Sequence, residues 1–74
     1  NNKRRAWVRE RETIEKEITL LEKEQAMARH LMADPSSYED KTNTMSLIQK
    51  QTEIERNLGT KLSRWEELCR LLGE

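Results

Sequence analysis

Apolar residues recur along this chain at alternating steps of four and three. Trp7, Arg11, Ile14, Ile18, Leu21, Gln25, Ala28 and Met32 follow spacings of 4, 3, 4, 3, 4, 3 and 4. Such a repeat keeps one stripe of a helix against a partner helix along its whole length, so it predicts a helix over about 3–33 packed on another. Arg11 and Gln25 interrupt the stripe with polar groups. Farther along, Ile48, Gln51, Glu55, Leu58, Leu62, Trp65, Cys69 and Leu72 repeat the pattern and predict a second helix over about 41–72. Around Leu47, Gln51 and Ile54 another register fits better. The two registers join through steps of four from Ile54 to Leu58 to Leu62, a stutter that is expected to relax a left-handed supercoil locally.

Between the helices lies ADPSSYED, residues 33–40, with the only proline. Pro35 disfavours helix at Asp34 and lacks a backbone donor. Ser36, Ser37 and Asp40 suit turns and helix N-caps. Two segments of matched length, each about 45 Å long at the helical rise, joined by a short connection, favour antiparallel neighbours. The expected fold is therefore all-α: one domain over 1–74, a two-helix antiparallel coiled-coil hairpin with its turn at about 34–40. Folding the chain about that turn brings Trp7 near Leu68 and Cys69, and Arg11 near Trp65. Ile14 then faces Leu62, Ile18 faces Leu58, Leu21 faces Ile54, and Gln25 meets Gln51 as a polar layer. Tyr38 is expected to fold its ring over the seam near Met32 and Met45.

Composition narrows the function classes. Of 74 residues, 34% are hydrophobic and 38% charged, too polar for a compact globule. Fourteen basic and fourteen acidic residues cancel, so no long-range field marks the chain as a nucleic-acid binder. One cysteine excludes an internal disulfide, and one cysteine with one histidine excludes a zinc site of the usual kind. No apolar run approaches a membrane span, and the expected location is the cytoplasm. The start, NNKRR, lacks a methionine, and the chain is expected to be excised from a larger protein.

No catalytic constellation is present. His30 has no cysteine or serine partner and reads as a solvated residue near a helix end. Cys69 falls in the stripe and reads as packing. Gly59, Thr60 and Lys61 superficially suggest a phosphate loop, but that loop needs spaced glycines after a strand, and no strand is expected. The one chemical signal is local: Lys3, Arg4, Arg5, Arg9 and Arg11 cluster within nine residues around Trp7. Such a patch can contact phosphates. Equally, Lys3, Arg4 and Arg5 can neutralise Glu66, Glu67 and Glu74 on the returning helix. Arg56, Lys61 and Arg64 on that helix complete the candidate nucleic-acid-binding set. A different reading makes the hairpin an interaction arm. Leu20, Leu31 and Leu71 fall outside the stripe, and a second copy would cover them, so the expected state is a monomer or a weak homodimer.

Two motifs together carry a resemblance. The turn reads Asp34, Pro35, Tyr38, and the end of the second helix reads Arg64, Trp65, Glu66, Leu68. The pair, with the basic and Glu-rich entry RRAWVRERETIEKEI, resembles the C-terminal coiled-coil domain of ABC-F ATPases over nearly the whole chain. The resemblance implies a helical hairpin with Asp34, Pro35, Tyr38, Trp65 and Leu68 in structural roles. It implies a non-enzymatic domain with no cofactor of its own; ATP and magnesium would belong to cassettes of the parent protein. It also implies a DNA or ribosomal partner, and a likeness to a subgroup linked to transposon excision. No family binding motif transfers onto individual residues here.

Overall fold

A computed structural model describes residues 2–74. Two helices fill almost all of it: α1 spans Asn2–Ala33 and α2 spans Lys41–Leu71, joined by a single 3-10 turn at Pro35–Tyr38. They pack side by side as an antiparallel hairpin 56 Å long and 16 × 14 Å in section. α1 contains neither glycine nor proline, and its glutamate, lysine, arginine and leucine residues lose little freedom in a helix. Exposed threonines back-bond to the preceding turn: Thr13 donates to the Arg9 carbonyl and Thr60 to that of Arg56, each at 3.1 Å.

The reversal is built by side chains that satisfy backbone groups. Asp34 is extended, and its carboxylate accepts from the Ser36 amide at 3.0 Å. Pro35 opens the 3-10 turn, where a missing donor costs nothing. Ser37 is buried and donates its hydroxyl to the Leu31 carbonyl, tying down a free carbonyl at the end of α1. Asp40 caps α2 by accepting from the Thr42 amide at 2.9 Å. Thr44 then links the elements, its hydroxyl shared between the carbonyls of Ser37 (2.9 Å) and Asp40 (3.1 Å). Tyr38 differs from expectation. Its hydroxyl donates to the Met32 carbonyl, but the residue is 52% exposed, so it anchors the turn from outside and does not close the core.

The far end of α2 closes with a Schellman motif. Gly73, at φ +78°, donates to the Arg70 carbonyl at 3.1 Å, and Glu74 donates to that of Cys69 at 2.8 Å.

The seam on α1 is the expected one. Ile14 and Ala28 are buried, and Trp7, Arg11, Ile18, Leu21, Gln25 and Met32 are half-buried. On α2 the seam runs Leu47, Gln51, Ile54, Leu58, Lys61, Trp65, Leu68 and Leu72, an unbroken alternation of 4 and 3. No stutter occurs. The expected members Ile48 and Leu62 are 49% and 44% exposed, and Glu55 is exposed. Lys61 holds the position assigned to Leu62: its aliphatic stem lies in the seam while its ammonium reaches Glu17. Ile18 and Leu21 pack against Ala28, Ile54 and Leu58, and Leu68 is wholly buried nearer the open end.

Candidate nucleic-acid interface

Charge sorts the surface of the hairpin into two kinds of basic residue. The first kind is held across the helix pair. The Arg64 guanidinium sits on α2 beside the seam, one residue before Trp65. It grips Glu10 with two hydrogen bonds, Nε to Oε2 at 2.6 Å and Nη2 to Oε1 at 2.8 Å, and also binds Glu67 on its own helix. This bidentate geometry suits a planar guanidinium and carboxylate. The Glu10 carboxyl is accordingly held below its ordinary range, chiefly by the hydrogen bond from Arg64 and then by its charge. Arg64 is held more firmly protonated by the same bond. Lys61 pairs with Glu17, and Arg11 with Glu74. Arg11 Nη1 also lies 4.0 Å from Cys69 Sγ, and the indole of Trp65 donates to Glu15 at 3.3 Å.

The second kind lies on the outer face of the first turns of α1. Arg4, Arg5 and Arg9 are exposed and, with Val8 and Glu12, line one shallow concavity. The spacing accounts for part of the grouping: Arg5 and Arg9, and Arg4 and Val8, stand four apart and so lie one above the other on the helix. Among the described residues, none of these three arginines has an ion-pair partner. Of the carboxylates expected beside the basic tip, Glu74 is engaged by Arg11 and Glu67 by Arg64. Lys3 is exposed beside the patch. Arg56 lies apart, on α2 in a groove with Ile48, Gln49, Thr52 and Glu53.

The structure therefore brings Arg4, Arg5 and Arg9 together and sets Arg11, Lys61 and Arg64 to work inside the fold. The sequence does not single out the partners Glu10 and Glu17, and it offers Glu74 to Lys3, Arg4 and Arg5 where the structure gives it to Arg11. A signal for two of them was present: Glu10 and Glu17 each immediately precede a seam residue of α1, as Arg64 does on α2, and such flanking positions form interhelical ion pairs in coiled coils.

Other chemistry finds no setting. Gly59, Thr60 and Lys61 lie within α2, with Lys61 paired to Glu17, so they form no phosphate loop. No group of three or more histidine, cysteine or acidic side chains among the described residues could hold a metal ion. No helix is long and apolar enough to cross a membrane. His30 is exposed in the last turn of α1, and Cys69 is a half-buried free thiol. In the turn, hydrogen bonds from the backbone and hydroxyl of Ser36 hold the Asp34 carboxyl below its ordinary range.

Comparison with protein families gives a match over residues 5–69, to the model described as the ABC transporter C-terminal domain. That span holds the turn, the whole seam of α1 and the Trp65–Leu68 stretch. No curated protein and no solved structure matches the chain.

Proposed function

The chain belongs to the ABC transporter C-terminal domain family, and from that premise we propose that it is a non-catalytic nucleic-acid-binding arm of a cytoplasmic ABC-F-type ATPase. The observation that carries the reading is the contrast between the two sets of cations. Three exposed arginines near the start of α1, Arg4, Arg5 and Arg9, have no carboxylate partner among the described residues, in a chain whose acidic residues equal its basic ones in number. Guanidinium groups on a convex rod meet the backbone of DNA or of ribosomal RNA through phosphate oxygens, with no element shaped to enter a groove and read bases. Arg56 adds a separate contact toward the turn, and Lys3 extends the patch at the open end. Arg11, Lys61 and Arg64 shape the rod that presents these groups. ATP and magnesium would belong to the cassettes of the parent, whose movement would position the arm; the reading includes a role like that of the transposon-excision-linked subgroup.

Binding to duplex DNA, single-stranded DNA and structured RNA across a salt series tests this. Three phosphate contacts predict a slope of log affinity on log salt of about −3 on duplex DNA. Arg4→Glu, Arg5→Glu and Arg9→Glu together should abolish binding. No binding at low salt, or binding that survives the triple change, removes the reading.

A further inference from the structure

A second surface lies away from the arginines. Near the turn half of the hairpin, Met27, Ala28 and Leu31 of α1 and Leu47 of α2 line a groove of about 100 Å³, with Glu24 on one rim and Lys50 on the other. Leu20, Glu24, Met27 and Leu31 follow steps of 4, 3 and 4, so the apolar floor continues along α1 as a second stripe beside the seam. Its members are open: Leu20, Met27 and Leu31 are 59%, 67% and 46% exposed.

The rim charges are the informative part. Farther toward the open end, Glu10–Arg64 and Glu17–Lys61 bridge the two helices, whereas Glu24 and Lys50 have no ion-pair partner among the described residues. We infer that this groove is the interface between two copies of the chain, packed as parallel hairpins about a two-fold axis running along it. Such an axis brings Glu24 of each copy to Lys50 of its mate, twice, and lays one Leu20–Met27–Leu31 stripe beside the other. The occupant is a second copy because the rim is self-complementary: a partner of either net charge would leave one rim residue repelled. The chain carries no net charge to hold copies apart. The parallel arrangement also sets both arginine faces at one end of the dimer, although the inference does not depend on what they bind.

Sedimentation of the chain from micromolar to millimolar concentration tests it. The wild type should pass reversibly from one chain to two. Glu24→Lys and Lys50→Glu should each weaken association about tenfold by setting like charges together, and the two combined should restore it. Met27→Glu should leave a monomer of unchanged helicity by circular dichroism, and Leu20→Ser serves as a second variant of the stripe should that one lose structure. A chain that stays monomeric throughout overturns the inference. So does a dimer that ignores the single charge changes or is not recovered by the double.

Discussion

Arg64 reaches across the helix pair and holds both oxygens of Glu10, at 2.6 Å and 2.8 Å. An arginine so engaged is a poor hand to offer a phosphate, because a new anion would have to displace two charge-assisted hydrogen bonds. This pairing divides the basic residues into those that build the rod and those that decorate it, and the consequences can be measured separately.

Acid should loosen the hairpin through Glu10. Its carboxyl titrates below the ordinary value of 4.5 in the folded chain, so the unfolded chain takes up the proton first. The stability it contributes is complete above that ordinary value and is lost as pH falls through the lower, folded one. Thermal melts between neutrality and about pH 3 should show the decline, and Glu10→Gln should make the profile flatter. An equally steep profile in the variant would place the acid sensitivity elsewhere.

Arg64→Gln and Arg5→Gln should fail in different assays. The first should lower the melting temperature while leaving any nucleic-acid affinity nearly unchanged. The second should leave the melt unchanged and shorten the salt slope by about one phosphate contact.

The position of the seam on α2 can be tested with two leucines. Leu68 is completely buried, so Leu68→Ala should cost about 2–5 kcal/mol, enough to unfold much of so small a domain. Leu62, in the seam by sequence but 44% exposed, should tolerate alanine within about 0.5 kcal/mol. Comparable losses in urea melts would restore the stutter.

Gln51 stands in the seam with its amide oxygen buried and unpartnered; its amide nitrogen reaches only Glu55, at 3.4 Å. Gln51→Leu should therefore stabilise the hairpin by about 1–2 kcal/mol in denaturant melts. Because a polar seam residue also fixes alignment, the same change should favour alternative pairings, visible as larger species in sedimentation.

The two glycines should respond in opposite directions to alanine. Gly59 lies within α2 with open space where a Cβ would stand, so Gly59→Ala should stabilise by about 0.5–1 kcal/mol. Gly73 holds φ +78°, and Gly73→Ala should destabilise by about 1 kcal/mol.

The fold class was legible because two long segments carried the same period around one strong breaker, and α1 used every seam position its spacing named. The family was legible at its coarser level, since the match to the ABC transporter C-terminal domain covers residues 5–69. The seam of α2 was misread at Lys61 and Leu62 for a physical reason. Apolar type alone does not mark burial: a lysine can bury its stem beside a glutamate and a leucine can stand in solvent. Residue type likewise hid the split among the basic residues. A count of charges near Trp7 does not reveal that Arg11 belongs to Glu74, sixty-three residues away. Nor could it show that Arg4 and Arg5 are left unclaimed.

The turn has one more consequence, in the order of events. Its hydrogen bonds join residues only a few positions apart, from Asp34–Ser36 to Ser37–Thr44, and so close with little loss of chain entropy. Each further layer of the seam joins residues more distant in sequence, but only after the preceding layer has brought them close. The hairpin should therefore zip from Pro35 outward. Substitutions at Ser37 or Asp40 should slow folding, whereas loss of the Arg11–Glu74 clasp should mainly speed unfolding. On that order the end that presents Arg4, Arg5 and Arg9 should form last and fray first.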